Sequence, residues 1–206
     1  MVSVKSVSDY QYDINSLKKH GKSFYWASFF LPRKNKQIAS ELYSICRYFD
    51  DLADASTKDL SEEIKNEYQN IISNDTNEIN KFFKKNKIKI SILGDLVNGL
   101  LKDQVKVRIN TEAELIEYAY EVAGTVGLMM LPIILTDSPD ARKHAIDLGI
   151  AMQLTNIARD IYEDAKMDRL YLPKQWIGDI SIENLINVDK INLNKIKIVL
   201  EKLILL

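Results

Sequence analysis

The stretch Tyr43-Ser-Ile-Cys-Arg-Tyr-Phe-Asp-Asp-Leu-Ala-Asp54 decides how the rest of the chain is read. Around it Ile38, Leu42, Ile45, Phe49 and Leu52 recur at steps of four and three, the apolar stripe of an α-helix over 35–55. One residue along runs a second row, Tyr43, Arg47, Asp50 and Asp54, which a helix aligns on the margin of its buried face. Carboxylates one turn apart at the edge of a core repel one another and lose hydration. Something positive has to relieve them.

A second row of the same kind lies further on. Ser138 and Pro139 have the pattern of a helix N-cap and first position, and the helix they open is expected to run to about Ala165. Its apolar stripe is Ile146, Ile150, Leu154, Ile157, Ile161 and Ala165, and beside it stand Gln153, Asn156, Asp160 and Asp164. If the two helices face one another, four carboxylates converge on one cavity.

The totals suit such a helical domain. With 206 residues, 46% hydrophobic and 28% charged, the chain can bury one real core. The net charge of -1 gives no basic field for nucleic acid. Seven Gly and four Pro are few for a turn-rich β protein. Cys46 is the only cysteine, so no disulfide forms within the chain; it reads as a small core residue in a reducing compartment. The N-terminus carries no apolar signal segment. The longest apolar run, 127–135, is shorter than the roughly 20 residues of a membrane span. Peripheral membrane contact stays open.

Elsewhere the pattern is also helical. A first helix over 9–22 is expected to stop at a left-handed Gly21. The aromatic run 23–31 reads as helix, with its rings in the core. Residues 56–91 are low in complexity, with a Lys-rich solvated face from Lys81 to Lys89, and helical spacing returns over 92–104. Thr111 and Glu114 form a capping-box pattern, opening a helix that passes Tyr118 into Ala123-Gly-Thr-Val-Gly127. Two helical glycines cost of order 1 kcal/mol each against Ala, which implies close approach of another helix or of a ligand. Asp168 to Pro173 reads as an extended loop, and 181–206 as a final amphipathic segment with an apolar end.

Four carboxylates with neighbouring amides suit a hard divalent cation such as Mg²⁺, which takes oxygen ligands and leaves room for substrate phosphates. Arg47 and Arg159 could clamp phosphate oxygens. Metal ions on a diphosphate spread the charge that develops as its carbon–oxygen bond breaks, and aromatic faces attract the resulting cation. The rows therefore point to ionisation of an isoprenyl-type diphosphate. His20 and His144 are lone residues with no zinc spacing. There is no calcium loop, no glycine-rich phosphate loop and no Ser or Cys nucleophile with a base.

These motifs resemble the squalene/phytoene synthase family. Tyr43-x3-Arg47-x2-Asp50-Asp-x2-Asp54 is similar to its first aspartate-rich motif, and Ala151-Met-Gln-Leu-Thr-Asn-Ile-Ala-Arg-Asp-Ile-Tyr-Glu-Asp164 to its second. Arg169-Leu-Tyr-Leu-Pro173, His20-Gly-Lys-Ser-Phe24 and Tyr118-x4-Ala123-Gly-Thr-Val-Gly127 match further blocks, so the resemblance spans roughly residues 15–180. The wording is most similar to the phytoene synthases of the family. The resemblance implies one all-α domain over 1–206, an isoprenoid-synthase-type helical bundle around a central apolar cavity. It also implies that this chain is C-terminally truncated, missing its last helices and exposing apolar surface.

The activity implied is head-to-head joining of two geranylgeranyl diphosphates, through a cyclopropylcarbinyl diphosphate, to phytoene. Asp50, Asp54, Asn156, Asp160 and Asp164 would hold Mg²⁺, with Mn²⁺ as the alternative ion. Lys22, Ser23, Phe24, Arg47, Gln153, Asn156 and Arg159 would bind substrate, and Tyr43 and Tyr118 would lie near the reacting carbons. Asp51, about 100° round the helix from Asp50, points outward. The alternatives are a sister enzyme joining two farnesyl diphosphates, an inactive fragment, or a non-catalytic assembly factor. The implied location is cytoplasmic with peripheral membrane association, since substrate and product are lipids. Nothing fixes the oligomeric state, the proton-accepting base or NADPH use.

Overall fold

The computed structural model describes residues 14–54, 60–104, 106–134, 138–187 and 190–206, without the side chains of Ile14, Asp54, Lys190 and Ile191. Residues 9–13 of the expected first helix lie outside them. The described chain is helical: α1 (Ile14–His20), α2 (Lys22–Ala27), a 3₁₀ turn (Ser28–Phe30), α3 (Arg33–Asp54), α4 (Ser61–Ser73), α5 (Glu78–Lys85) and α6 (Ile90–Lys102) come first. Then follow α7 (Glu112–Ala119), a π-helical turn (Tyr120–Gly124), α8 (Thr125–Ile134), α9 (Pro139–Lys166), α10 (Lys174–Ile177), α11 (Ile182–Ile186) and α12 (Lys190–Leu205). Extended pairing among the described residues is limited to an isolated parallel bridge between Arg108 and Leu170. None of these helices is long and apolar enough to cross a membrane.

Two apolar clusters hold the helices. In the first, Leu42, Ile45 and Phe49 of α3 are fully buried with Ile64 and Ile71 of α4, Phe83 of α5, Leu93 of α6 and Met129 of α8. The second joins Leu115 of α7, Leu154 and Ile157 of α9, Leu172, Leu185 of α11 and Val199 of α12. Val122, in the π turn, packs against both. The α3 row belongs to the first cluster and the α9 row to the second, so a site using both must sit at their seam.

The seam is held by backbone contact. A Cβ on Gly127 would lie 2.2 Å from the Ala145 carbonyl oxygen, and one on Gly149 would lie 2.4 Å from that of Ala123. The glycines of 124–127 therefore serve helix packing of α8 on α9. The π turn just before α8 shifts the helix register, a device frequent near functional sites.

Several expectations change in detail. Gly21 has φ -112° and is not left-handed; it is needed because a Cβ there would come within 2.9 Å of the Tyr43 ring. The aromatic run is helical but not core: Phe24, Trp26, Phe29 and Phe30 are 48%, 70%, 55% and 91% exposed. The Lys-rich patch includes helix α5, whose Phe82 and Phe83 are buried under its exposed lysines. Thr111 caps α7 through the Glu114 amide (3.2 Å), but the Glu114 carboxylate takes the Asn110 amide (2.8 Å) rather than closing the box. Ser138 caps α9 through the Ala141 amide at 3.1 Å, as the sequence implies. Apolar side chains are exposed on α9 (Leu148, Tyr162) and α12 (Ile198, Ile204, Leu205).

Candidate active site

Asp50 of α3 and Gln153, Asn156, Arg159, Asp160 and Asp164 of α9 line one open cleft of about 260 Å³. Tyr118 of α7 joins them, with Asp103, Ile157, Met167, Arg169 and Tyr171. Helix α8 packs against both α3 and α9. Among the cleft residues, apolar surface comes from Ile157, Met167 and the two tyrosine rings.

On the α3 side one guanidinium is shared by two carboxylates. Arg47 Nη1 lies 2.8 Å from Asp50, and Nη2 lies 2.6 Å from Asp51. Asp51 is the more exposed of the two acids, as its outward placement requires. The Arg47 Nε is buried and has no hydrogen-bond partner among the described residues. Tyr43 stands behind Arg47, and burial raises its phenol above the usual range. Its ring meets Phe24 of α2, centroids 6.5 Å apart, and Lys22 and Ser23 lie exposed on the same short helix. Tyr43, Arg47, Lys22, Ser23 and Phe24 thus form a neighbouring group, joined to the cleft through the Arg47–Asp50 pair, rather than part of its lining. Asp54 closes α3, and its side chain lies outside the described residues.

The α9 side is arranged differently. The helix departs from α geometry at Asp160 (φ -103°, ψ 16°). Arg159, from the adjacent position, donates to both Asp160 oxygens, Nε at 2.6 Å and Nη2 at 2.5 Å. Asn156 Nδ2 donates to Gln153 Oε1 at 3.4 Å. Asp164, one turn beyond the bend, is half-buried; burial, then the neighbouring Asp160 charge, pushes its carboxyl up to about 6, against the pull of Arg169.

One lining residue of the cleft, Asp103, escapes the sequence reading. Asp103, just after α6, accepts from the Tyr118 hydroxyl at 2.9 Å and from the Tyr171 hydroxyl at 2.7 Å. Tyr171 and Arg169 are held in place by the loop after α9. There Asp168 takes a left-handed φ of 59° and pairs with Arg108, and Lys106 lies 3.0 Å from it. The bonds Leu170 N to Val107 O (3.1 Å) and Ile109 N to Leu170 O (3.3 Å) fasten the loop to the segment before α7. Arg169 and Tyr171 stand inside a sequence block that signals a site, whereas Asp103 has no pattern around it.

The profile of the squalene/phytoene synthase family matches residues 17–190. The chain belongs to that family. It is 31% identical over 211 residues to the 4,4'-diapophytoene synthase of Staphylococcus haemolyticus, covering 92% of this chain and 72% of that protein. It is 33% identical over 182 residues to the phytoene synthase of Thermus thermophilus, covering 85% of this chain and 63% of that one. A solved dehydrosqualene synthase superposes with a TM-score of 0.77 at 31% identity, over 92% of this chain and 72% of that chain. A squalene synthase structure from Alicyclobacillus acidocaldarius gives 0.72 at 18% identity and shows the same fold, the all-α isoprenoid-synthase fold of the family.

For a squalene/phytoene synthase family member the question is how the cleft suits a divalent cation. Among the described residues no three His, Cys, Asp or Glu side chains are gathered closely enough to hold a metal ion as they stand. The donor set nevertheless fits one. It consists of carboxylate and amide oxygens, the ligand type that a hard divalent cation takes.

Proposed function

We propose that the chain carries the diphosphate-ionising site of a head-to-head prenyl synthase, joining two geranylgeranyl diphosphates to phytoene through a cyclopropylcarbinyl diphosphate. The observation that carries this reading is the single cleft shared by Asp50 of α3, Asp160 and Asp164 of α9, and the Tyr118 ring. Asp50, Asp54, Asn156, Asp160 and Asp164 are the residues that would hold Mg²⁺, or Mn²⁺ in its place. The ion's chemistry is to draw charge onto the departing diphosphate.

The chain's own residues do the rest. Arg159 is 67% exposed and, among the described residues, is held by its neighbour Asp160, so it can swing its fork onto a diphosphate while Asp160 turns to an ion. Gln153 and Asn156 offer amide dipoles on the same face. Arg47, joined to the cleft through Asp50, is a further cation beside the substrate's oxygens, and Lys22 and Ser23 add charge and a hydroxyl at the lip. Tyr43, Phe24 and Tyr118 supply aromatic faces for the cation that forms when diphosphate leaves. Each ionisation releases one diphosphate; loss of a proton from the final cation gives the hydrocarbon.

A second substrate reading is favoured by two of the comparisons. The relative from Staphylococcus haemolyticus is a diapophytoene synthase, and the superposed structure at 31% identity is a dehydrosqualene synthase. On that reading two farnesyl diphosphates are joined. Incubation with Mg²⁺ and either the C20 or the C15 diphosphate, without NADPH, separates the two: phytoene from the C20 substrate is expected. A product from the C15 substrate alone selects the second reading, and no product from either overturns both.

The lipid substrates are proposed to be taken from a membrane surface met by the α2 corner. Trp26, Phe29 and Phe30 are exposed there, with Lys36 Nζ 3.6 Å from the Phe29 ring, and the sequence from Ile14 to Ser40 holds no Asp or Glu. Sedimentation with anionic vesicles that is unchanged in Phe30→Ser or Lys34→Glu would contradict this contact.

A further inference from the structure

We propose that Asp103 is a positioning residue for the cation-forming step: its two carboxylate oxygens hold the hydroxyl protons of Tyr118 and Tyr171, so that both phenols turn oxygen lone pairs and ring faces, not protons, towards the cleft. The role rests on the ionisation chemistry proposed above.

Three separate parts of the chain meet at this carboxylate. Asp103 follows the last residue of α6, Tyr118 lies in α7, and Tyr171 is in the loop after α9. Each oxygen takes one hydroxyl: Oδ2 accepts from Tyr118 at 2.9 Å and Oδ1 from Tyr171 at 2.7 Å. An ionised carboxylate has only acceptor sites, so in both bonds the phenol must donate. Burial first, and then the Asp103 charge, raises both phenols far above their usual range, so each keeps the proton it donates. The two rings are stacked, centroids 4.9 Å apart and planes 26° from parallel, which fixes the pair as a unit. Arg169 Nη2 adds a longer contact, 3.4 Å to the Asp103 carbonyl oxygen.

The consequence is electrostatic. Both tyrosines and Asp103 itself line the cleft with the two acidic rows. A phenol whose O–H pointed into the cleft would oppose a positive carbon with its own positive end. With the proton drawn back to Asp103, the oxygen and the ring face are what the cation meets, and both attract it. A carboxylate that merely tied α7 to the loop would stabilise the fold and leave turnover per folded molecule unchanged.

The experiment is a mutant cycle on the full chain, with turnover of the C20 and C15 diphosphates and the tyrosine hydroxyl protons as separate readouts. Asp103→Asn keeps the shape but exchanges one acceptor oxygen for a donor, so one phenol loses its partner. In the wild type two slowly exchanging hydroxyl resonances are expected, identified by their loss in Tyr118→Phe and Tyr171→Phe. Asp103→Asn is expected to lose one of them, to lower kcat on the order of 10²-fold and to leave KM nearly unchanged, as for a misplaced group near the chemistry. Asp103→Glu should recover part of the loss. In the Tyr118→Phe/Tyr171→Phe background, Asp103→Asn should cost nothing further, because the groups it positions are gone. Full kcat in Asp103→Asn, or an equal loss with and without the two hydroxyls, overturns the proposal. If the wild type makes no hydrocarbon, the synthase reading fails; the hydroxyl resonances still decide whether Asp103 holds both phenols, and retention of both in Asp103→Asn rejects that.

Discussion

On α3, Asp50 leans on an arginine one turn before it, which also holds the exposed Asp51, and the helix shows no break at the pair. On α9 the corresponding arginine is the adjacent residue, the helix bends at Asp160, and Asp164 is left half-buried with its carboxyl pushed up to about 6. The two aspartate pairs, 50/54 and 160/164, share one spacing; the surroundings of Asp50 and Asp164 differ. Spacing alone places carboxylates on a helix edge. The tertiary surroundings decide how each carboxylate is met: Asp50 shares Arg47 with Asp51 near the surface, whereas Asp164 is half-buried beside Asp160.

The strongest way to break this contrast is to remove one carboxylate from each side. Asp50→Asn and Asp160→Asn are each expected to abolish hydrocarbon formation, with the helical circular dichroism of the wild type. Turnover surviving in only one of them would assign the chemistry to a single row.

Next in size is the packing that brings the α9 row to the cleft. Gly149→Ala sets a methyl 2.4 Å from the Ala123 carbonyl oxygen, which backbone cannot yield cheaply. A loss of about 3 kcal/mol in denaturant unfolding is expected, at the upper end of overpacking costs. A loss near zero would mean that the seam is looser than the contact implies.

The contrast in charge is sharpened by Asp164→Asn. The folded-state carboxyl of Asp164 titrates at about 6, above its ordinary 3.8. The folded state therefore binds the proton more tightly, and stability falls as pH rises between those values and stays lowered above them. Removing the charge should raise the melting temperature at pH 7.5, and the gain should vanish towards pH 4. A gain that persists at pH 4 would show that charge is not the cause. The smallest effect is expected beside the other row: Asp51→Asn removes one exposed partner of Arg47 and should shift stability by no more than about 1 kcal/mol.

Much of this was legible in the residues, for stated reasons. The α3 stripe follows from a 3.6-residue period that burial enforces along a single helix, and Leu42, Phe49, Leu154 and Ile157 are buried as that period requires; the Ser138 cap follows from its place before Pro139, and of the two acidic rows the cleft takes Asp50 from one and Gln153, Asn156, Asp160 and Asp164 from the other. The family motifs were legible as words in the chain. What the period cannot give is contact between distant segments. Asp103 meets Tyr118 and Tyr171 only because α7 and the loop after α9 are fastened together, so no spacing announces it. The exposed rings of α2 and the 3₁₀ turn escape a sequence pattern because an aromatic run looks the same whether core or solvent lies beside it; Phe30, 91% exposed, is decided by its neighbours in space. Likewise Gly21 has the pattern of a turn signal, while the structure sets the Tyr43 ring against it.

The central claim is that the two rows, Asp50 on one side and Asp160 with Asp164 on the other, act as one site. Titration calorimetry with Mg²⁺ and inorganic diphosphate tests it on the wild type, Asp50→Asn, Asp160→Asn and the double variant. One site predicts that either single change weakens binding at least tenfold, close to 1.4 kcal/mol, and that the double variant loses little more. Wild-type affinity in either single variant, or losses that simply multiply in the double, would contradict it.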